Sequence, residues 1–146
     1  MCIRDSSERV KLLTFRIHKI LGSNLKGKRI SFLGVTFKPN TDDMREASSI
    51  PMMNFLSKKN CKIKYFDPSG KKKEIDKIKN VEFCKNIPLA CLKSDLIIIH
   101  TEWNVFKLLN FKKLVKKKKF SIFDMRNIYS PAKMKQMKIK YFGIGR

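Results

Sequence analysis

The chain has 146 residues, with 34 Lys and Arg against 12 Asp and Glu and a formal net charge of +22. That length suits one ordinary domain with a real hydrophobic core and is too short for two full ones, while 42% hydrophobic and 10% aromatic residues exclude wholesale disorder. No apolar run approaches the about 18 residues of a membrane-spanning helix. Arg4, Asp5, Glu8 and Arg9 stand where a secretory leader would need apolar residues, so a cytoplasmic location is expected, with no membrane partner.

Met1 to Ser6 fit no periodic pattern and are expected to be a non-native or disordered start. From Ser7 on, Val10, Leu13, Ile17, Ile20 and Leu21 recur at helical spacing, with Ser6 or Ser7 as a cap and Gly22 as a stop. This predicts one amphipathic helix over Ser7 to Leu21. After a basic loop, Arg29 to Gly34 reads as a short buried strand and Ser48 to Lys59 as a helix. Cys61 to Phe66 alternates as a second strand and stops at Asp67-Pro68-Ser69-Gly70, a strong turn signal. Lys71 to Lys79 reads as a short polar helix, Val81 to Cys84 as a third strand, and Ile87 to Leu92 as a helical turn. Asp95 to His100 is the most apolar strand, Phe120 to Asp124 is another, and Lys140 to Ile144 is the last. Pro131 suits the first turn of a helix over Pro131 to Met137. Strands separated by helical patterns argue for βαβ units and a doubly wound, mostly parallel sheet of about five or six strands.

The cysteines are Cys2, Cys61, Cys84 and Cys91, without a C-x-x-C pair, and only His18 and His100 could complete a metal site. The usual zinc spacings are absent, so no metal is expected and the thiols read as buried and inert. Of the 34 basic residues 27 are lysine, spread through every segment. Phosphate and base readers favour arginine, and the aromatics do not alternate with the lysine runs as stacking platforms would. The charge therefore reads as a solvated surface, which argues against nucleic acid as a partner and remains compatible with attracting small anions.

In an open parallel sheet, ligands gather beyond the carboxyl ends of the strands. Three polar loops leave strands there: Gly34 to Glu46, Thr101 to Asn104, and Met125 to Asn127. The first lacks G-x-G-x-x-G, so it is not the usual pyrophosphate fingerprint. Lys38 and Arg45 flank its Pro39-Asn40 turn, and Thr41, Asp42 and Asp43 are suited to capping the helix that follows. Two such cations fit an anionic ligand, and they fit equally a solvated lysine beside an arginine paired with Asp42 or Glu46. Arg126 directly follows a buried strand in a chain poor in arginine; a ligand contact and a salt bridge to Asp124 or Glu102 are both open. His100 reads as a satisfied core or edge histidine, and Trp103 as packing over a strand end.

These residues carry a resemblance. Gly34 to Ser49, GVTFKPNTDDMREASS, resembles the signature of the C-terminal domain of the UDP-glucose/GDP-mannose dehydrogenase family. Tyr65-Phe66-Asp67-Pro68, Thr101-Glu102-Trp103, Asp124 to Tyr129 and the ending Ile144-Gly145-Arg146 match in order. Members acting on UDP-N-acetylmannosamine or GDP-mannose share the K-x-x-T-D-D-x-R-E core, while the Thr-Glu-Trp and Arg-Asn-Ile-Tyr elements look most like those acting on UDP-glucose. The resemblance implies an α/β, Rossmann-like domain preceded by one amphipathic helix. It implies an NAD-dependent, two-step oxidation of UDP-glucose to UDP-glucuronate through a cysteine-bound intermediate. It places Phe37, Lys38 and Arg126 on the UDP-sugar and Arg45 on NAD held mainly by a separate N-terminal domain. Residues 7-27 would then be the end of the central dimerisation helix and its linker, and 28-146 the UDP-sugar-binding domain of a homodimeric enzyme. Neither the dinucleotide fingerprint nor the G-F-G-G-S-C-F-P-K-D nucleophile motif occurs in the sequence. No catalytic residue is therefore assigned here, and the chain is expected to be inactive alone. The competing expectation is a stand-alone basic module that binds nucleotide or nucleic acid.

Overall fold

Leu96-Ile97-Ile98-Ile99, an apolar strand with every residue buried, lies inside the sheet. A strand covered on both faces has no use for polar alternation, which is why it reads as a continuous apolar run. The computed structural model describes residues 3–145. Its strands are β1 (Arg29–Leu33), β2 (Lys62–Phe66), β3 (Val81–Phe83), β4 (Leu96–Ile99), β5 (Ser121–Asp124) and β6 (Lys140–Gly143). They form one sheet in the order β3-β2-β1-β4-β5-β6, and every pairing is parallel. This is the doubly wound fold expected from the sequence. The chain winds outward from β1 to one edge, then crosses over to β4 and winds to the other, which opens a crevice at the carboxyl ends of β1 and β4.

Two layers of helix cover the sheet. On one face α1 (Ile3–Leu21) and α2 (Ser49–Lys58) pack against β1, β2 and β4, burying Leu13, Ile17, Met52, Met53 and Leu56 over Ile30, Phe32 and Ile63. On the other lie α4 (Ile87–Cys91), α5 (Phe111–Val115) and α6 (Pro131–Gln136), with Phe106, Phe111, Val115 and Met134 over Leu33, Ile97, Ile99 and Ile122. Each such fully buried side chain stabilises the fold by about 1.5–3 kcal/mol. Register carries the alternation: Ile30 opposes Leu96 and Phe32 opposes Ile98, which in turn opposes Phe123. Asn86, Asn110 and Ser130 cap α4, α5 and α6 through their side-chain oxygens.

Several expected boundaries shift. Helix α1 starts at Ile3 rather than Ser7, so the helical backbone takes in residues 3–6 of the expected non-native or disordered start, and Ser6 and Ser7 fall within the helix; Met1 and Cys2 lie outside the described residues. The helix lies against the sheet: Arg16 Nη1 donates to the Gly143 carbonyl at 2.6 Å, and its guanidinium sits 5.0 Å from the Phe123 ring centroid. The polar helix expected over Lys71 to Lys79 is a single turn, α3 (Lys73–Asp76), because only Ile75 and Ile78 have core to pack against. A 3₁₀ turn at Asn104–Phe106 and α5 were not anticipated. Thr41, Asp42 and Asp43 do not cap α2: the loop runs on, and Ser48 holds the cap position.

Candidate functional site

The loop after β1 is held from beneath. Gly34 has φ +81°, and a Cβ there would meet the Thr101 Cβ at 2.6 Å, so only glycine lets the β1 and β4 ends close on each other. Asp67, buried at the end of β2, accepts from Val35 N at 2.8 Å and, through its other oxygen, from Ser69 N at 2.9 Å and Ser69 Oγ at 2.6 Å. Thr101 Oγ1 donates to the Thr36 carbonyl at 2.7 Å, and Ser49 Oγ to that of Val35 at 2.6 Å. Phe37 N donates to the Asp43 carbonyl at 3.1 Å, which folds the segment between them into a closed turn. With its base so fixed, the loop holds a large apolar ring, Phe37, 42% exposed to solvent.

Arg126 reaches the same place from β5. Its backbone N–H donates to Asp124 Oδ1 at 3.1 Å, while Asp124 Oδ2 takes Tyr129 N at 3.1 Å and Tyr141 Oη at 2.6 Å. The guanidinium donates through Nε to the His100 carbonyl at 2.8 Å and through Nη2 to the Phe37 carbonyl at 3.3 Å, with Glu102 Oε2 3.6 Å from Nε. One arginine thus joins all three strand-end loops. The salt-bridge alternative is met in part, by Glu102 and by a backbone contact to Asp124. Phe37 and Arg126 border a cleft of about 240 Å³ with Glu46, Ser48, Pro51 and, from α1, Arg9.

The other two expected residues lie apart from this pair. Lys38 is exposed beside the cleft-lining Phe37, and its charge helps to hold Asp43 ionised. Arg45 is clasped by Asp43, not by Asp42 or Glu46: Nε donates at 3.0 Å to Oδ1 and Nη2 at 2.9 Å to Oδ2. That clasp, with the Arg45 backbone N–H, holds the Asp43 carboxyl down to about 2. Sequence reading missed Arg9 and Ser48 as cleft residues. It placed His100 as a satisfied core or edge histidine, and the structure has it in the core: fully buried, it bonds Ser48 Oγ at 3.0 Å and Thr101 Oγ1 at 2.9 Å. Burial, with Arg126 and Arg9 nearby, pushes its imidazole down to about 3.

Among the described residues no three His, Cys, Asp or Glu side chains gather as a metal site. Cys61, Cys84 and Cys91 are free and buried, and burial pushes their thiols up, to about 11 for Cys61 and about 12 for Cys91. A thiol so shifted is a poor nucleophile at neutral pH. No described helix is long and apolar enough to cross a membrane. The turn after β1, where this fold cradles a dinucleotide, has Asp67 on its first amides and buried Val35 and Thr36 side chains, and so does not fit a pyrophosphate. A second hollow, of about 210 Å³ at the opposite ends of β1 and β2, is lined by Arg29, Lys62 and Lys64 and lies away from the strand-end loops.

Residues 31–131 match the UDP-binding domain of the UDP-glucose/GDP-mannose dehydrogenase family. The chain belongs to that family. It is 35% identical to the UDP-glucose 6-dehydrogenase of Rickettsia felis, over 98% of this chain and 33% of that protein. Among solved structures it superposes on the NDP-N-acetyl-D-galactosaminuronic acid dehydrogenase of Methanosarcina mazei Go1 with a TM-score of 0.77, at 24% identity over 95% of this chain and 29% of that one. A UDP-glucose dehydrogenase of Pyrobaculum islandicum gives 0.68, at 23% identity over 94% and 29%. The chain therefore spans about a third of the length of the curated relatives it matches, and the structural likenesses establish the same fold. The family is one of nucleotide-sugar dehydrogenases, and this portion is its C-terminal, UDP-binding domain.

Proposed function

We propose that this chain forms the substrate-binding part of a cytoplasmic, homodimeric, NAD-dependent UDP-glucose dehydrogenase, which converts UDP-glucose, two NAD and water to UDP-glucuronate and two NADH. The observation that carries the reading is Arg126, bonded to the Phe37 and His100 carbonyls at the mouth of the crevice, with its guanidinium on a cleft that also presents the Phe37 ring. A fixed planar cation beside an exposed aromatic ring suits a phosphorylated sugar nucleotide: the guanidinium meets phosphate oxygens and the ring packs on an apolar face. Lys38, on the same loop, adds a second positive charge, and Arg45, outside the cleft, can exchange its Asp43 clasp for NAD held by another part of the enzyme. Residues 28–146 form the UDP-sugar domain and 7–27 the end of the central dimerisation helix, where Leu12 and Phe15 are 66% and 56% exposed. The free thiols fit a reducing compartment.

This domain supplies binding and orientation. NAD, bound elsewhere, supplies the hydride acceptor. The 146-residue chain by itself yields no NADH from UDP-glucose, and NADH production by the purified chain would overturn that assignment. Titration calorimetry tests the site. Arg126→Ala or Lys38→Ala weakens UDP-glucose binding roughly ten- to a hundredfold, as expected for a lost charged hydrogen bond to phosphate. Binding of random duplex DNA that exceeds binding of UDP-glucose and falls steeply with salt would favour the basic-module reading instead.

A further inference from the structure

Ser48 holds the N-cap position of α2 and makes no capping bond. A cap oxygen accepts from the N–H of the second or third helical residue, and the third here is Pro51, which has none. Freed from that task, the hydroxyl lies 3.0 Å from His100 Nε2. His100 Nδ1 in turn is 2.9 Å from Thr101 Oγ1, which is 2.7 Å from the Thr36 carbonyl oxygen.

Counting protons fixes every direction in this chain. A carbonyl only accepts, so the single hydroxyl hydrogen of Thr101 goes to Thr36. Thr101 Oγ1 must then accept from the ring, which puts the imidazole proton on Nδ1. The ring is neutral, because burial and the neighbouring Arg126 and Arg9 oppose a second proton. Its Nε2 is bare and takes the only hydroxyl hydrogen that Ser48 has. Ser48, half-buried in the lining of the cleft, is left with lone pairs alone. Arg126 and Arg9 in the same lining carry donors alone.

We propose that Ser48 is a specificity-determining acceptor, which takes a hydrogen bond from a hydroxyl of the bound nucleotide sugar, and that His100 is the positioning residue that holds it in the accepting state. This rests on the nucleotide-sugar reading of the cleft. The donors and acceptors of the lining sort the ligand. Anionic oxygens go to the guanidiniums of Arg126 and Arg9, while the Glu46 carboxylate repels them. That leaves Ser48 as the uncharged acceptor for a hydroxyl, with no proton to offer a phosphate. A ligand without that hydroxyl leaves the acceptor unfilled.

Two measurements on the 146-residue chain test this. Long-range ¹H–¹⁵N correlation spectra resolve only two histidines, His18 and His100. The expected His100 pattern is a proton on Nδ1 and a bare Nε2, and a proton on Nε2 would overturn the proposal. Calorimetry with UDP-glucose and with UDP is then compared across Ser48→Ala, Ser48→Thr and Arg126→Ala. Ser48→Ala lowers UDP-glucose affinity roughly three- to tenfold, the range of one neutral hydrogen bond, and Ser48→Thr restores it. If the loss is confined to UDP-glucose the hydroxyl is on the pyranose; if UDP loses equally it is on the ribose. Unchanged affinity for both ligands in Ser48→Ala, with Arg126→Ala still impaired, overturns the acceptor and leaves the nucleotide-sugar reading standing. A wild-type chain that binds neither ligand overturns that reading, and the acceptor with it.

Discussion

Arg126 and Arg45 carry the same guanidinium, both on loops beyond the carboxyl ends of the strands, and the structure treats them oppositely. The Arg126 side chain is 26% exposed and spends its donors on two backbone carbonyls of neighbouring loops. Arg45 is 89% exposed and spends its donors on a carboxylate two residues away. The first geometry is set from beneath, because its carbonyls belong to loops that Asp67 and Thr101 tie to the ends of the sheet. The second is set by local chain and solvent, and exposed ion pairs contribute little to stability even at short range. An arginine rooted in the fold presents its charge in one place; an arginine clasped on the surface can exchange its partner for an incoming ligand at small cost.

The floor shared by the β1 and β4 loops offers the harshest way to break this contrast. Gly34→Ala imposes both a left-handed alanine and a contact that must relax by a large fraction of an ångström. The expected loss is about 3 kcal/mol, from a positive φ and overpacking together, read as a lower urea midpoint with an unchanged slope. Retained stability would show that Thr101 is not held as described.

Acid sharpens the same contrast through protonation. The His100 imidazole binds a proton near pH 6.5 when unfolded and only near about 3 when folded. The unfolded chain therefore takes up its proton first as the pH falls. His100 leaves stability untouched above about pH 6.5 and erodes it progressively toward 3, by up to about 1.4 kcal/mol per pH unit. His100→Asn, which keeps a side-chain donor for Thr101, flattens that slope between pH 6 and 4; an unchanged slope would refute the buried neutral ring. Asp43 has the same sign in a lower window. Its carboxyl is held down to about 2, so the Arg45 clasp is complete above the ordinary carboxylate range and is lost as pH falls through about 2.

Arg45→Ala gives the smallest effect on the fold. The thermal midpoint and UDP-glucose affinity stay put, and the NMR titration midpoint of Asp43 climbs back toward that of a free carboxylate. In the complete enzyme the change raises the NAD requirement. A loss of UDP-glucose affinity instead would mean that Arg45 belongs to the cleft.

The sheet was legible because its strands declare themselves through burial: β4 by an unbroken apolar run, β2 by alternation that stops at the Asp67 turn. Helix α5 was not, although Phe111, Leu114 and Val115 have the spacing of a buried helical face. Four lysines follow directly and two lie inside it, so the apolar signal is diluted within any window. At the site, Arg126 stood out by its place after a buried strand, and its role, like that of Phe37, came from motif resemblance. Ser48 and Arg9 were not, since the partner that gives Ser48 its role lies 52 residues on and Arg9 comes from a different helix. Nothing local distinguishes a serine that caps from one that does not, apart from the proline three residues later.

The bond from Arg16 to the Gly143 carbonyl spans 127 positions. Its consequence is temporal. During synthesis α1 leaves the ribosome well before β6, and its Leu13 and Ile17 have no finished sheet to cover until β1, β2 and β4 are in place. The latch to Gly143 then closes last of all. Contacts of such sequence separation form slowly, so hydrogen-exchange labelling during refolding should find the Arg29–Leu33 amides protected before those of α1. Of the elements described, the helix made earliest settles after the sheet it covers.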